Sequence, residues 1–525
     1  MYDLLIRIII IKMTGRQYIP ALSVSEKNFT ANERDSPKKI FTEMINVTFD
    51  EILEKIDGYV WGVPLIVLIL SAGLLLTMRT GFIQVRHLPR ALRLLFKEEK
   101  SEIEGEIKGE VSGFASLCTA LSATIGTGNI VGVATAIGIL AGGPGALFWM
   151  WIAAFFGMAT KYSEGFLAVK YRTVDSDGHV LGGPFYYIEN GMGKKWKWLA
   201  KVFAFFGACV GLMGIGTFSQ VNGISSAVTG FFDPNSENTI ELFGNSYSVV
   251  TVISAFVLAI CAGLVIIGGI KRISGVAEII VPFMAILYIA AVLVLLIANI
   301  TRIPAAVGDI IGGAFGIKPI AGGALASVMI SMKSGVSRGI FSNESGLGSA
   351  PIAAAAAKTK EPVRQGLISM TGTFIDTIVI CTMTGLSIVM MGSWSDASLE
   401  GVQVTTDAFS KGLCFLPSGA AAFILMLCLV FFAFTTILGW DYYGERCLEY
   451  LSGKNKTAVT VYRILYIAAV FIGPYMTVSA VWTIADIFNG LMALPNIVAL
   501  FALSGVVARD TKDYFKRLEN GEITE

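Results

Sequence analysis

Long stretches of the chain carry no charge, and their lengths set the expected architecture. Residues 61–78, 202–232, 248–270, 279–301, 412–440 and 464–485 contain no Asp, Glu, Lys, Arg or His, and neither does 111–160, which a G-G-P-G at 142–145 divides in two. Lipid offers backbone N–H and C=O groups no partner outside the helix itself, so a hydrocarbon layer of about 30 Å selects helical runs of about 20 such residues. Three further apolar segments are interrupted by charge. Residues 323–356 hold Lys333, Arg338 and Glu344, 366–392 hold Asp376, and 478–508 hold Asp486. The pattern predicts an all-α polytopic membrane protein with about eleven transmembrane helices.

Basic residues between the spans give an orientation. Loops 79–110, 161–201, 271–272, 358–364 and 446–463 and the tail 509–525 hold 27 Lys and Arg, whereas the alternate loops hold only Arg302, Lys318 and Lys411. Positively charged loops stay in the cytoplasm. The expected topology in the plasma membrane therefore has the N-terminus outside and the C-terminus inside. The chain divides into a segment 1–43, a first span with a cytoplasmic amphipathic stretch (44–110), two five-helix repeats (111–302 and 303–508) and a cytoplasmic tail (509–525). The apolar stretch 4–11 is short, is interrupted by Arg7 and follows Asp3, so it reads neither as a signal sequence nor as a span. Met44 is the expected true start, and 1–43 an upstream extension.

Composition agrees and narrows the chemistry. Of 525 residues, 54% are hydrophobic and 15% charged, and 40 Lys+Arg balance 39 Asp+Glu, which gives no basic surface for nucleic acid. Only His87 and His179 are available, and the seven cysteines show no C-x-x-C pairing. A multi-histidine metal site, a zinc cluster and an intramembrane enzyme built on a histidine base are not expected. No G-x-x-x-x-G-K-[ST] sequence for ATP is present, so primary pumping is not indicated, and no repeated filter motif points to a passive channel.

Two spans contain runs that a membrane helix has no reason to carry unless its backbone must meet something else. One is S-A-T-I-G-T-G-N at 122–129. The other is K-S-G-V-S-R-G-I-F-S-N-E-S-G-L-G-S-A-P at 333–351. Four further spans lie between them, so the two broken helices enter the membrane from opposite sides and open the two halves of an inverted repeat. Discontinuous helices at matching places mark the midplane site of secondary transporters, where half-helix N-termini meet an anion and unwound carbonyls a cation. Close packing of small residues between helices is the plainer alternative.

The motifs G-G-P-G-A-L-F-W-M-W-I-A-A-F-F-G (142–157), G-T-G-N-I-V-G-V-A-T-A-I (126–137), G-G-P-F-Y-Y-I-E-N-G-M-G (182–193) and F-S-N-E-S-G-L-G-S-A-P (341–351) resemble the alanine or glycine:cation symporter family. That resemblance implies a leucine-transporter-like 5+5 fold and sodium-coupled uptake of alanine or glycine, with sodium co-transported; coupling to protons is the alternative. It also implies that amides around Gly126, Thr127 and Gly128 meet the substrate carboxylate. Thr435 and Thr436 resemble the sodium-binding hydroxyl pair of that fold, with Ser122 and Ile125 supplying carbonyls. Sodium takes neutral oxygens by the hard-ligand logic of calcium and magnesium. Adjacent threonines point about 100° apart, so one faces the ion more squarely.

Asn129 either serves the ion or substrate or caps the half-helix. Trp440, four residues after Thr436 on the same helical face, becomes in the implied fold a wall against the substrate side chain, with Phe432 one turn earlier. Gln220 sits in a charge-free run where an unpaired amide is costly; it bonds either a neighbouring helix or the substrate. Lys333 or Arg338 with Glu344 are candidate gate pairs. Lys161 and Glu164 read as a simple pair at a cytoplasmic helix end. No titratable carboxylate is evident beside 122–129, which favours sodium over protons.

Overall fold

The computed structural model describes residues 52–97, 109–175, 179–242, 245–317, 323–476 and 478–523. The segment 1–43 and residues 44–51 of the lead-in lie outside the described residues. The described chain from Ile52 onward is a helical bundle. Eight helices are long and apolar enough to cross a membrane, and the bent pair Gly113–Thr124 and Gly128–Ile137 makes nine. The expected count of eleven is consistent with these if two more polar helices also cross, Gly145–Lys170 and the second broken helix beginning at Ala324. Two short antiparallel hairpins, Thr173–Val174 with Val180–Leu181 and Thr239–Leu242 with Asn245–Ser248, depart from the all-helical expectation. Both fall between spans.

Helices Val249–Ile266 and Gly269–Ala298 show why this is a membrane protein. Each leaves large apolar side chains exposed, among them Ile260, Leu264, Ile279 and Ile286. In water each such side chain would forgo roughly 1.5–3 kcal/mol of burial, whereas in lipid nothing is forgone. Conversely, polar side chains lie within the apolar interior. Ser122, Asn129, Gln220, Glu344, Asp376 and Thr436 are all buried.

The G-G-P-G turn has a packing reason. A Cβ on Gly145 would lie 2.3 Å from the Ala314 amide nitrogen and 2.4 Å from the Gly313 carbonyl carbon. Backbone meets backbone there, so no side chain fits.

Three interruptions converge on the centre. The first broken helix begins at Ser112, whose Oγ accepts from the Ala115 amide at 3.0 Å. It unwinds over Ile125–Thr127 and resumes 53° away in a stretch that is π-helical over Gly128–Gly132. The second broken helix runs Ala324–Asn343, breaks at Glu344 (φ 56°), Gly346 (φ 92°) and Gly348 (φ 84°), and resumes at Ala350–Ala354. The third lies in the run 202–232, which the sequence reads as one span. It divides into Lys197–Met213 and Phe218–Phe232, with residues 214–217 unwound. The long helix Ala420–Leu451 packs against the first and third of these elements.

Candidate substrate and ion site

At the first break the freed backbone groups are taken up by side chains, one local and the others from distant elements. The Gly126 amide donates to Asn129 Oδ1 at 2.9 Å, and the Thr127 amide to Gln220 Oε1 at 3.0 Å. Gln220 Nε2 in turn donates to the Ile215 carbonyl in the third break at 3.0 Å. The Ile125 carbonyl accepts from Thr436 Oγ1 at 3.2 Å. Gly126 lies so close to its neighbours that a Cβ would sit 2.5 Å from Thr436 Oγ1 and 2.8 Å from Gln220 Oε1. Only glycine leaves that junction open. Thr127 Oγ1 is buried without a hydrogen-bond partner, a polar atom that a bound polar ligand would satisfy.

The second break closes over the same place. A Cβ on Gly128 would approach Ser342 Cα to 3.3 Å, so the two breaks touch. Trp440 is fully buried and donates its indole N–H to Glu344 Oε1 at 2.8 Å, while Ser349 Oγ donates to Glu344 Oε2 at 2.5 Å. Asp376 stands in a second π-helical segment, Phe374–Cys381. It accepts from Asn129 Nδ2 at 2.6 Å, Ser342 Oγ at 2.9 Å and Thr377 Oγ1 at 2.7 Å. One compact region therefore offers backbone amides for a carboxylate, neutral oxygens for a hard cation, a carboxylate acceptor and an aromatic wall. No group of three His, Cys, Asp or Glu side chains suited to a metal ion occurs among the described residues.

Residues 46–525 match the family model described as the sodium:alanine symporter family. The chain belongs to that family. It is 53% identical to an uncharacterized transporter of Haemophilus influenzae, over 90% of this chain and 98% of the relative. It is 47% identical to the sodium/alanine symporter AgcS of Methanococcus maripaludis, over 89% and 97%, and 38% identical to the probable sodium/glutamine symporter GlnT of Bacillus subtilis, over 90% and 93%. Among solved structures, MhsT in complex with L-phenylalanine superposes with a TM-score of 0.50 at 14% identity, covering 77% of this chain and 98% of that one. The fold is leucine-transporter-like, and the protein is a multi-pass membrane transporter.

Within this symporter-family chain the predicted residues separate. Ile125, Gly126, Thr127, Gly128, Asn129, Gln220, Thr436 and Trp440 gather at the breaks. Both threonine hydroxyls lie within hydrogen-bond distance of the Phe432 carbonyl, Thr435 at 2.9 Å and Thr436 at 3.0 Å, but Thr435 otherwise faces Met284 Sδ at 3.4 Å while Thr436 faces the Ile125 carbonyl. The Phe432 ring packs on Tyr288, with centroids 5.3 Å apart. Ser122 Oγ donates to the Thr119 carbonyl at 2.8 Å.

The candidate gate pairs are corrected. Arg338 pairs with Asp486 at 2.9 Å, Lys333 is exposed, and Glu344 serves Trp440 and Ser349 instead. Six positions apart, Arg338 and Glu344 would not share a face of a continuous helix, and the break at Glu344 does not bring them together. Arg338 also lines a vestibule of about 1120 Å³ bounded by Val131, Asn222, Trp394 and Gln403, on the face whose loops are poor in Lys and Arg. Lys161 and Glu164 are not a surface pair either. Lys161 Nζ donates to the Asn343 carbonyl at 2.8 Å, and Glu164 Oε1 accepts from the Gly346 amide and Asn496 Nδ2 at 3.1 and 2.7 Å, so both brace the second break.

Three features escaped the sequence reading. Asp376 stands out in the sequence as an ionisable residue within a span and so as a functional candidate, but its place beside Asn129 does not, because helix pairing brings it there. The break at 214–217 carries only two glycines, a weak signal. A polar cluster lies at the basic-loop face: His179 Nδ1 lies 2.8 Å from Glu110 Oε1, His179 Nε2 meets Arg446, and Arg446 reaches Glu445 at 2.5 Å and Glu449 at 2.7 Å. The hydrogen bond to Glu110 raises the His179 pKa above its ordinary value. Burial alone would raise Glu110, but the bonds from His179 and the Val180 amide bring it below.

Proposed function

We propose that this protein is a sodium-coupled symporter that takes up small neutral amino acids, alanine and glycine, across the plasma membrane by alternating access. The observation that carries this reading is the first break, where Gly126 and Thr127 amides and the Ile125 carbonyl meet Gln220, Asn129 and Thr436. A substrate carboxylate takes over the two amides from Asn129 and Gln220. Sodium takes the Ile125 carbonyl and the Thr436 hydroxyl, with Ser122 and Thr435 as the further oxygens expected from the family resemblance. Trp440, held by Glu344, limits side-chain size. The basic loops face the cytoplasm, so the vestibule opens outward and the Glu110–His179–Arg446 cluster closes the inner side. Membership of the family and similarity to AgcS support sodium and alanine.

Asp376, hydrogen-bonded to Asn129, favours proton coupling as the reading to be tested against. The experiment is alanine uptake into proteoliposomes with sodium replaced by lithium, potassium or choline across a pH series. Accumulation that follows the sodium gradient at every pH supports the proposal. Accumulation driven by a proton gradient without sodium replaces it with the proton reading, and flux that never exceeds equilibrium is that of a channel.

A further inference from the structure

Asp441 follows Trp440 on the helix Ala420–Leu451 and is fully buried. Neither carboxylate oxygen has a hydrogen-bond partner. The groups that bear on it from its own helix are Glu445, one turn further on, and Arg446; from the helix Lys456–Ile472 they are Arg463, Tyr462 and Tyr466. The helix Lys197–Met213 adds the Cys209 thiol near Tyr462. The charged and phenolic groups are all engaged elsewhere. Arg463 places Nε and Nη2 2.7 and 2.9 Å from the two oxygens of Glu445, and Arg446 serves Glu445, Glu449 and His179. Tyr462 donates to the Ala208 carbonyl at 3.0 Å, and the Tyr466 hydroxyl lies 2.7 and 2.9 Å from the carbonyls of Ile437 and Gly216. An ionised carboxylate here has lost its water and gained no hydrogen bond, with both nearby arginines paired to other carboxylates, a situation proteins avoid by keeping the group neutral.

The surroundings of Asp441 differ between its two sides. Toward the basic-loop face a polar path runs through Glu445 to Arg463, whose side chain is 27% exposed. Toward the site, Trp440, Ile437 and Tyr466 are fully buried.

We propose that Asp441 is a proton-binding site that exchanges with the cytoplasmic face during the transport cycle. It is protonated while that face is closed. When opening admits water along Arg463 and Glu445, the carboxylic acid gives its proton to water, and closing requires the proton back from water; no other bond changes. The proton enters and leaves on one side, so it sets the rate of the return step and adds nothing to the transported charge. This rests on the transport reading and orientation above, but not on which ion drives uptake.

The test is alanine uptake into right-side-out proteoliposomes with the driving gradient and external pH fixed and lumenal pH set between about 6 and about 8.5, a range spanning the titration of perturbed carboxyls. Wild-type uptake slows severalfold as lumenal pH rises. Asp441→Asn, which imitates the neutral acid, gives a flat profile, whereas His179→Gln, which removes the imidazole of the neighbouring cluster, keeps the slope. A wild-type slope retained in Asp441→Asn, a flat wild type, or a slope that vanishes in His179→Gln overturns the proposal.

Should Asp441→Asn not assemble, wild-type protein is treated with dicyclohexylcarbodiimide, which modifies protonated carboxyls in apolar surroundings, and its peptides are mapped. Modification of Asp441 at the lower lumenal pH and protection at the higher is the expected result; modification that is absent or independent of lumenal pH overturns it. Loss of sodium dependence in the same vesicles counts against the sodium reading alone.

Discussion

Gly126→Ala is the smallest change that reaches the junction of the first break, the third break and the long helix. Its Cβ would stand 2.5 Å from Thr436 Oγ1 and 2.8 Å from Gln220 Oε1, both well inside van der Waals contact. Neither neighbour is backbone. Gln220 can swing its amide end, at the cost of its bond to Thr127, and Thr436 can turn its hydroxyl away, at the cost of its contact with Ile125. The fold therefore survives while the site gives way. Overpacking of this size costs about 1–3 kcal/mol, which at 1.4 kcal/mol per decade is a roughly five- to hundredfold rise in the sodium concentration for half-maximal uptake. The assay is a sodium titration of alanine uptake at fixed alanine, with protein level and thermal stability measured alongside. Gly132→Ala is the control, since nothing lies within 4 Å of its added Cβ. A well-expressed Gly126→Ala protein with the sodium dependence and rate of wild type would refute the reasoning.

Thr436→Ala should raise the sodium requirement more than Thr435→Ala does, because Thr436 faces the Ile125 carbonyl and Thr435 faces Met284; sodium titrations of both variants check the order. Trp440→Ala should admit valine or leucine as competitors of alanine uptake, since a methylene of misfit in an apolar pocket is worth about 1–3 kcal/mol, while Trp440→Phe, which keeps the bulk and loses the bond to Glu344, should exclude them still; competition assays on well-expressed protein decide. Gly145→Ala meets the backbone of Gly313 and Ala314, which cannot step aside, and a loss of several kcal/mol of stability is expected; the melting temperature of the purified protein measures it.

Much of the fold was legible because lipid enforces a simple code. Charge-free runs mark helices, and runs of glycine and small polar residues such as 122–129 mark where a helix must open. The break at 214–217 was not legible: Gly214 and Gly216 sit in an apolar run, and the unwound segment is held by tertiary bonds such as Tyr466 to the Gly216 carbonyl and the Thr127 amide to Gln220. The site was legible where local spacing governs it, as in the placement of Trp440 one turn beyond Thr436. It was illegible where long-range pairing governs it. Asp376 reaches Asn129 across 247 positions, Asp486 takes Arg338 from 148 positions away, and Lys161 meets Asn343 across 182. Periodicity also leaves open which of two adjacent threonines faces the break, since that depends on the helix rotation fixed by packing against Gly269–Ala298.

The measurement that bears most directly on the central claim is an experimental structure of the protein determined with alanine and sodium. The account predicts the alanine carboxylate within hydrogen-bond distance of the Gly126 or Thr127 amide, released from Asn129 and Gln220, and an ion between the Ile125 carbonyl and Thr436 Oγ1. Alanine bound in the vestibule beside Arg338, with the bonds at Gly126 and Thr127 unchanged, would contradict it.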